Sequence, residues 1–389
     1  MSEQQVTAST APTLAPPASV GEACHIGVEE EFHVVDVRSG QLCDRAGDIL
    51  ERLGESPTYK AELLRSSLET NSAVHRTLEQ LRRDLVAARA AVNAEAAHGG
   101  WALVAAGTTP LADPAEVGVV AHPRNDRMRD EFKVLVDEQM ICGLQVQVDC
   151  LDRSAAVAVL GRLRPWLPVL MALSASSPYW CGRDTGYASF RSQLWRRWPT
   201  SGPPPVMDSE EEYDELVAAL VASGTMADRG MLYFDVRPQH NYPTLEVRLC
   251  DSAPLVDDVL LVTALSRALV RRSLAEHEAG VPTVRPYTPR EVVDAARWRA
   301  ARSGLEGDLL HPTAWDPRPA RDVVGVLVDL VRDELDAEGD LALTEHLVDE
   351  AFARGSSAAR QRAAFERRGS LRDVVDVLVE ETQREGTPS

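Results

Sequence analysis

The chain has 389 residues, 44% hydrophobic and 26% charged, enough for a substantial core in one large domain or two ordinary ones. Its 41 basic and 60 acidic residues give a net charge of −19, which argues against nucleic acid or an anionic membrane as the main partner. An anionic ligand would have to be met by a local arginine cluster or by a metal ion.

The first 22 residues are rich in Ala, Ser, Thr and Pro and lack both a basic start and an apolar run, so they read as a disordered tail rather than a secretory signal. Six cysteines occur, none in a C-x-x-C pair, and they read as reduced thiols packed as small apolar groups. No apolar run approaches the roughly 18 residues of a bilayer span, and a cytoplasmic location is expected.

Residues 26–35, I-G-V-E-E-E-F-H-V-V, alternate as a strand does. Ile26, Val28, Phe32 and Val34 share one side; Glu29, Glu31 and His33 share the other. The two carboxylates lie roughly 7 Å apart at their Cα atoms, from the strand rise. Like charges so close destabilise a sheet unless something positive lies between them. Glu30 falls on the apolar side and needs a partner or an edge position. His33 reads as an ordinary half-buried strand histidine.

Residues 36–42 form a turn broken at Ser39-Gly40. Residues 63–74 predict a second strand with Ser67, Glu69 and Asn71 on one face. From about Arg76, Leu78, Leu81, Leu85, Ala88 and Val92 recur at helical steps, and Gly99-Gly100 stop the helix. Residues 101–106 predict a buried strand running into Gly107-Thr108-Thr109-Pro110. A helix over 125–140 precedes L-Q-V-Q-V-D, a strand with Gln145, Gln147 and Asp149 on its polar face. Residues 153–176 read as apolar helix broken near Pro165 and Pro168. Residues 187–205 read as an irregular loop carrying Arg191, Arg196 and Arg197. Ser209 with Glu212 caps a helix running to about Ser223. Strands at 232–237 and 244–249 follow, the second with Glu246 and Arg248 on one face. The remainder is helical, at about 257–275, 289–303, 320–337, 344–353, 357–368 and 370–383. The fold class is α+β, a single domain over 23–385 with a helical C-terminal portion.

Four separated strands thus carry a polar face with an apolar back. A solvated antiparallel sheet would also be polar on one side, but these faces carry no Lys and concentrate carboxylates and amides, oxygen donors that suit Mg²⁺ or Mn²⁺. No phosphate-cradling P-loop, Rossmann glycine motif or nucleophile elbow occurs.

The motifs G-V-E-E-E-F, L-E-T-N, G-T-T-P, G-L-Q-V-Q-V, A-L-S-A-S-S-P-Y and D-V-R-P…T-L-E-V-R-L-C-D resemble, in order and spacing, the glutamate–cysteine ligase type 2 family of the glutamine-synthetase-like superfamily, over residues 25–380. The resemblance implies a curved antiparallel sheet holding Mg²⁺ and ATP over a polar concave face. It implies ATP-dependent ligation of a small-molecule carboxylic acid to an amine through an acyl phosphate. By position, Glu29, Glu31, Glu69 and Glu246 match the metal carboxylates, and Arg248 matches the arginine beside the transferring phosphoryl group. Arg191 and Arg197 are candidates for a further phosphate or carboxylate clamp. The family's third strand reads H-V-H-V where this chain has Gln145 and Gln147, and its turn reads G-T-H-P where this chain has Thr109. A Gln145 carbonyl oxygen can still ligate Mg²⁺. Two other activities stay open, a guanidino-type phosphotransferase and a nucleotide-binding regulator without turnover. So does assembly into a homo-oligomer.

Overall fold

The alternation at the start of the chain becomes an 11-residue strand, β1 (Ile26–Asp36), in the computed structural model, which describes residues 24–384 apart from 151, 208, 241 and 282–287. The tail expected at 1–22 lies outside the described residues. After β1 come α1 (Ala46–Leu53), the short strand β2 (Tyr59–Ala61), β3 (Ser67–Asn71), α2 (Leu78–His98) and β4 (Trp101–Val104). The helix expected over 125–140 is two, α3 (Pro123–Phe132) and α4 (Val134–Asp137), because Lys133 between them has φ +52° and breaks the helical path. Next are β5 (Gly143–Asp149), then α5 (Arg153–Leu163) and α6 (Leu167–Ser174), bent apart by 76° at the expected proline break. Among the described residues no single helix is long and apolar enough to cross a membrane.

A small hairpin, β6 (Tyr179–Trp180) with β7 (Arg183–Asp184), leads to the short helix α7 (Arg191–Trp195), which occupies part of the expected loop. Then follow α8 (Glu210–Ala222), β8 (Val236–Pro238), β9 (Thr244–Asp251), α9 (Val256–Glu278) and α10 (Arg290–Ser303). A second hairpin, β10 (Asp308–Leu310) with β11 (Pro317–Pro319), precedes α11 (Ala320–Leu330), α12 (Arg332–Ala337), α13 (Leu341–Arg354), α14 (Ser357–Arg368) and α15 (Leu371–Gln383). Leu78, Leu81, Leu85, Ala88 and Val92 form the buried stripe of α2, and Thr77 with Gln80 closes a capping box at its start.

One open antiparallel sheet runs β2-β3-β1-β5-β9-β8, and β4 pairs with the far end of β1. Glu29 is opposite both Asn71 and Gln145, and His33 is opposite both Ser67 and Val104. A strand residue has one neighbour on each side, so β5 and β4 follow one another along the same flank of β1. The backs of β1, β5 and β9 bury Ile26, Val28, Leu144, Val146, Val148, Leu245 and Val247 against α5, α6 and α9. Between β5 and β9 the register steps from Leu144/Cys250 to Val146/Val247. Two residues of one strand therefore span three of the other, which is a β-bulge at Arg248 and Leu249.

Glu30 has its partner. It is 1% exposed and forms a two-pronged ion pair with Arg89 of α2, itself 3% exposed, at 2.5 and 3.2 Å. Arg89 also donates to the carbonyls of Ala253 (2.8 Å) and Pro254 (2.5 Å) after β9. One guanidinium thereby ties the strand bearing Glu29 and Glu31 to the segment that follows Glu246 and Arg248. Removing one member of such a pair leaves a buried charge without compensation. Arg89→Met is expected to cost about 3–5 kcal/mol in urea unfolding, and the double variant Glu30→Leu/Arg89→Met to recover most of that loss.

Candidate functional site

A cavity of about 580 Å³ lies over the polar face of the sheet, and Glu29, Glu31, Glu69, Gln145, Arg191, Glu246 and Arg248 all line it. Arg197 does not. Its guanidinium pairs with Glu138 and its Nε donates to the carbonyl of Leu194. Thr109 is buried and also outside the cavity wall.

The register explains how residues so far apart in sequence meet. Glu31 sits directly across from Glu69, and Gln147 directly across from Glu246. Glu246 in turn faces Arg237 of β8. Glu62, just past the edge strand β2, completes a cluster in which carboxylate oxygens of Glu31, Glu62 and Glu69 all lie within 4.8 Å of one another. Glu62 does not stand out in the sequence, and Arg237 appears there only within the D-V-R-P motif, although each is adjacent to a partner once the strands are paired. The donor set is entirely oxygen, which fits a hard divalent cation such as Mg²⁺ or Mn²⁺.

Crowding shows in the titration of these groups. Burial first, then the nearby charges of Glu69 and Glu246, push Glu29 up to about 8 against the pull of Arg248 and Lys60. Glu62 rises well above the usual carboxylate range through burial and the charges of Glu31 and Glu69. Glu31 is raised by burial and Glu69, opposed by Arg191 and by the Gly143 amide, which donates to its Oε2 at 2.6 Å. His33 beneath the same face is 1% exposed, and burial lowers it to about 4, leaving it neutral near pH 7.

Glu246 behaves differently. Burial alone would raise it, but Arg248 and Arg237 outweigh that and hold it below the usual value. Its Oε1 accepts from Arg248 Nη1 at 2.6 Å and its Oε2 from Arg237 Nε at 2.5 Å. Expected among the cation ligands, it has both oxygens on guanidinium groups. Gln145, the other unusual candidate, donates from Nε2 to Glu31 Oε1 at 3.0 Å and accepts from Arg248 Nη1 through its oxygen.

Arg191 is 4% exposed and donates from Nη1 to the carbonyls of Leu249 (3.2 Å) and Cys250 (2.9 Å). It lies so close to Gly143 that a Cβ there would fall 2.3 Å from Arg191 Nη2. Asp251, 3.8 Å from Arg191, accepts from the Ser177 hydroxyl (2.6 Å), the Ser189 hydroxyl (2.9 Å) and the Ser176 amide (3.1 Å). A Cβ at Gly107 would stand 2.6 Å from the Asp251 carboxyl carbon. The G-T-T-P and S-A-S-S motifs thus build the support behind Arg191. Beside Arg191, whose guanidinium lies 5.9 Å from the Trp195 ring centroid, Trp195, Trp198 and Tyr233 pack as a three-ring group with centroids 4.8–6.2 Å apart.

Residues 25–377 match the model of the family described as Glutamate-cysteine ligase family 2. A Mycolicibacterium smegmatis protein named "Putative glutamate--cysteine ligase 2-2" is 47% identical over 361 residues, covering 92% of this chain and 89% of that one. Relatives from Frankia alni (46%) and Rhodococcus jostii (49%), both carrying the name ending 2-3, match 92% of this chain, which spans only 41% and 45% of their lengths. Among solved structures, glutamate–cysteine ligase from Francisella tularensis in complex with AMP shares the fold at a TM-score of 0.68 and 13% identity, over 93% of this chain and 89% of that one. The ligase PafA, in complex with the prokaryotic ubiquitin-like protein Pup, does so at 0.55 and 13%, over 93% and 73%.

A cation must displace the protons that raised carboxyls keep. In the cation-free protein each raised group weakens folding as pH climbs from its ordinary value near 4.5 towards its folded value, about 8 for Glu29. A cation bound among these carboxylates would relieve that repulsion. Mg²⁺ is therefore expected to raise Tm more at pH 8 than at pH 6. Calorimetry in buffers of different ionisation enthalpy should show proton release near pH 7, and Glu62→Gln should weaken Mg²⁺ binding about tenfold or more, at one charge removed from the cluster.

Proposed function

This chain belongs to the glutamate–cysteine ligase family 2, and on that premise we propose that it is an ATP-dependent carboxylate–amine ligase of the cytoplasm, with glutamate and cysteine as the first substrates to try. A carboxylate oxygen of the acid attacks the γ-phosphorus of ATP, the bond to ADP breaks, and an acyl phosphate forms. The amine nitrogen then attacks the acyl carbon. The C–O bond to phosphate breaks, inorganic phosphate leaves with its electron pair, and the amide remains once the amine's surplus proton is released.

The observation that carries this reading is one cavity with an oxygen-donor carboxylate cluster, Glu31, Glu62 and Glu69, on one side and Arg248 on the other. Phosphoryl transfer asks little covalent work of a protein; it asks for position and for charge placed against the transferring group. Glu31, Glu62 and Glu69, with Glu29 beside them, would hold Mg²⁺, or Mn²⁺ in its place. Bound there, the cation supplies charge neutralisation to the nucleotide's phosphate oxygens. Arg248 faces the developing charge as a planar fork that a lysine does not reproduce. Glu246 orients that fork, and Arg237 holds Glu246 from the other side. Arg191 adds fixed positive charge beside Glu31. These assignments also explain how a protein of net charge −19 can accept ATP.

Hydroxylamine in place of the amine tests the reaction class. With ATP, Mg²⁺ and a panel of acids including glutamate, the expected outcome is ADP release dependent on the acid and a coloured hydroxamate. A phosphorylated product stable to hydroxylamine would indicate a phosphotransferase. Tight nucleotide binding with no ADP release across the panel would indicate a regulator.

A further inference from the structure

We propose that Gln145 is a positioning residue: its side-chain amide sets the guanidinium of Arg248 against the carboxylate cluster, rather than serving as a cation ligand. What Arg248 then faces rests on the ligase reading; the contacts that hold it do not.

An amide offers one acceptor oxygen and two N–H donors. Here Gln145, 4% exposed, turns its nitrogen to Glu31 Oε1 at 3.0 Å and its oxygen to Arg248 Nη1. The reverse orientation would point N–H groups at a guanidinium and an oxygen at a carboxylate, so the flanking charges fix which way the amide lies. With its oxygen turned to Arg248 and its nitrogen to Glu31, the side chain bridges the two halves of the site. It is the nitrogen end of the side chain, not the oxygen, that meets the carboxylate cluster at Glu31.

Arg248 needs that lateral support. It sits on the β-bulge, where regular cross-strand neighbours are lost. Its backbone amide points to the β8 side, where it donates to the Asp235 carbonyl at 2.8 Å. Its Nε is buried with no hydrogen-bond partner among the described residues. Two acceptors hold Nη1: Glu246 Oε1 at 2.6 Å, on the same strand, and the Gln145 oxygen, across from it. Glu246 alone would leave the fork free to swing about that single contact.

Gln147 supplies an internal comparison. It is the same residue type two positions along the same face, with Nε2 at 3.3 Å from Glu29 Oε1 and its oxygen accepting from the Thr244 hydroxyl at 3.0 Å. Its hydrogen bonds run to Glu29 and Thr244, whereas those of Gln145 include Arg248. If Gln145 works through Arg248, lesions at 145 and 248 should not compound, whereas lesions at 147 and 248 should.

The test is a pair of double-variant cycles, Gln145→Leu with Arg248→Lys and Gln147→Leu with Arg248→Lys. The readouts are kcat, KM for ATP, and Kd for ADP and for Mn²⁺ measured separately by calorimetry. Arg248→Lys is expected to lower kcat about 10²-fold. Gln145→Leu is expected to lower kcat about tenfold or more while Mn²⁺ affinity stays within about threefold, and the double variant should be little worse than Arg248→Lys alone. The Gln147 cycle should be multiplicative. Multiplicative losses in the Gln145 cycle, or a Mn²⁺ affinity that collapses in Gln145→Leu, would overturn the proposal, and so would unchanged kcat in Gln145→Leu. A crystal structure of Gln145→Leu needs no turnover: a displaced Arg248 guanidinium supports the inference, and an unmoved one refutes it. Absence of both turnover and ADP binding in the unaltered protein would instead count against the ligase reading, leaving the crystallographic arm to decide this one.

Discussion

Glu31 and Glu69 face each other directly across two paired strands, with Glu62 against both and Glu29 one pleat away. That juxtaposition is the constraint the rest of the site answers. Like charges on opposed strand positions destabilise a sheet, and partial burial makes matters worse by stripping water from the charged forms. Burial and mutual repulsion raise the carboxyl pKa values of Glu29, Glu31 and Glu62. The opposite face of the same strand carries a compensating device: Glu30, between the two site carboxylates in sequence, is pinned from behind by Arg89. A strand held in that way cannot twist or slip to relieve the crowding, since a slip of one residue would exchange its two faces.

The positive charge at the site is not spread evenly. Arg191 is locked against backbone carbonyls and the Asp251 network, Arg237 against Glu246 and two carbonyls, and Arg248 between Glu246 and Gln145. Each is a preset donor in a water-poor wall, which is where fixed charge is most effective towards a developing anion. The bulge in β9 gives Arg248 its place. Because of that extra residue, Asp251 can also pair back into register with Gly143 and brace Arg191 from beneath.

Most of the architecture was legible in the chain because apolar and polar residue types alternate along its strands, and because the buried stripe of α2 repeats at helical steps. What escaped reading depends on partners that no local pattern reveals. Glu62 follows a three-residue edge strand too short to show periodicity. Arg237 acquires meaning only when β8 pairs with β9 and sets it opposite Glu246. The bulge is visible only as a mismatch between two strands. Arg191 and Arg197 looked alike in sequence, yet Arg191 opens the short helix α7 and lines the cavity, whereas Arg197 falls beyond the helix end and pairs with Glu138. The A-S-S-P-Y and G-T-T-P motifs have a physical task in the fold, packing and hydrogen-bonding around Asp251.

The central claim is that carboxylates from β1, β3 and the end of β2 form a cage for one divalent cation over the sheet. Anomalous diffraction from crystals of the protein soaked in Mn²⁺ addresses it without reference to substrate. The account predicts a strong manganese peak within coordinating distance of Glu31, Glu62 and Glu69; a peak confined to other residues, or none at saturating Mn²⁺ above pH 8, would contradict it.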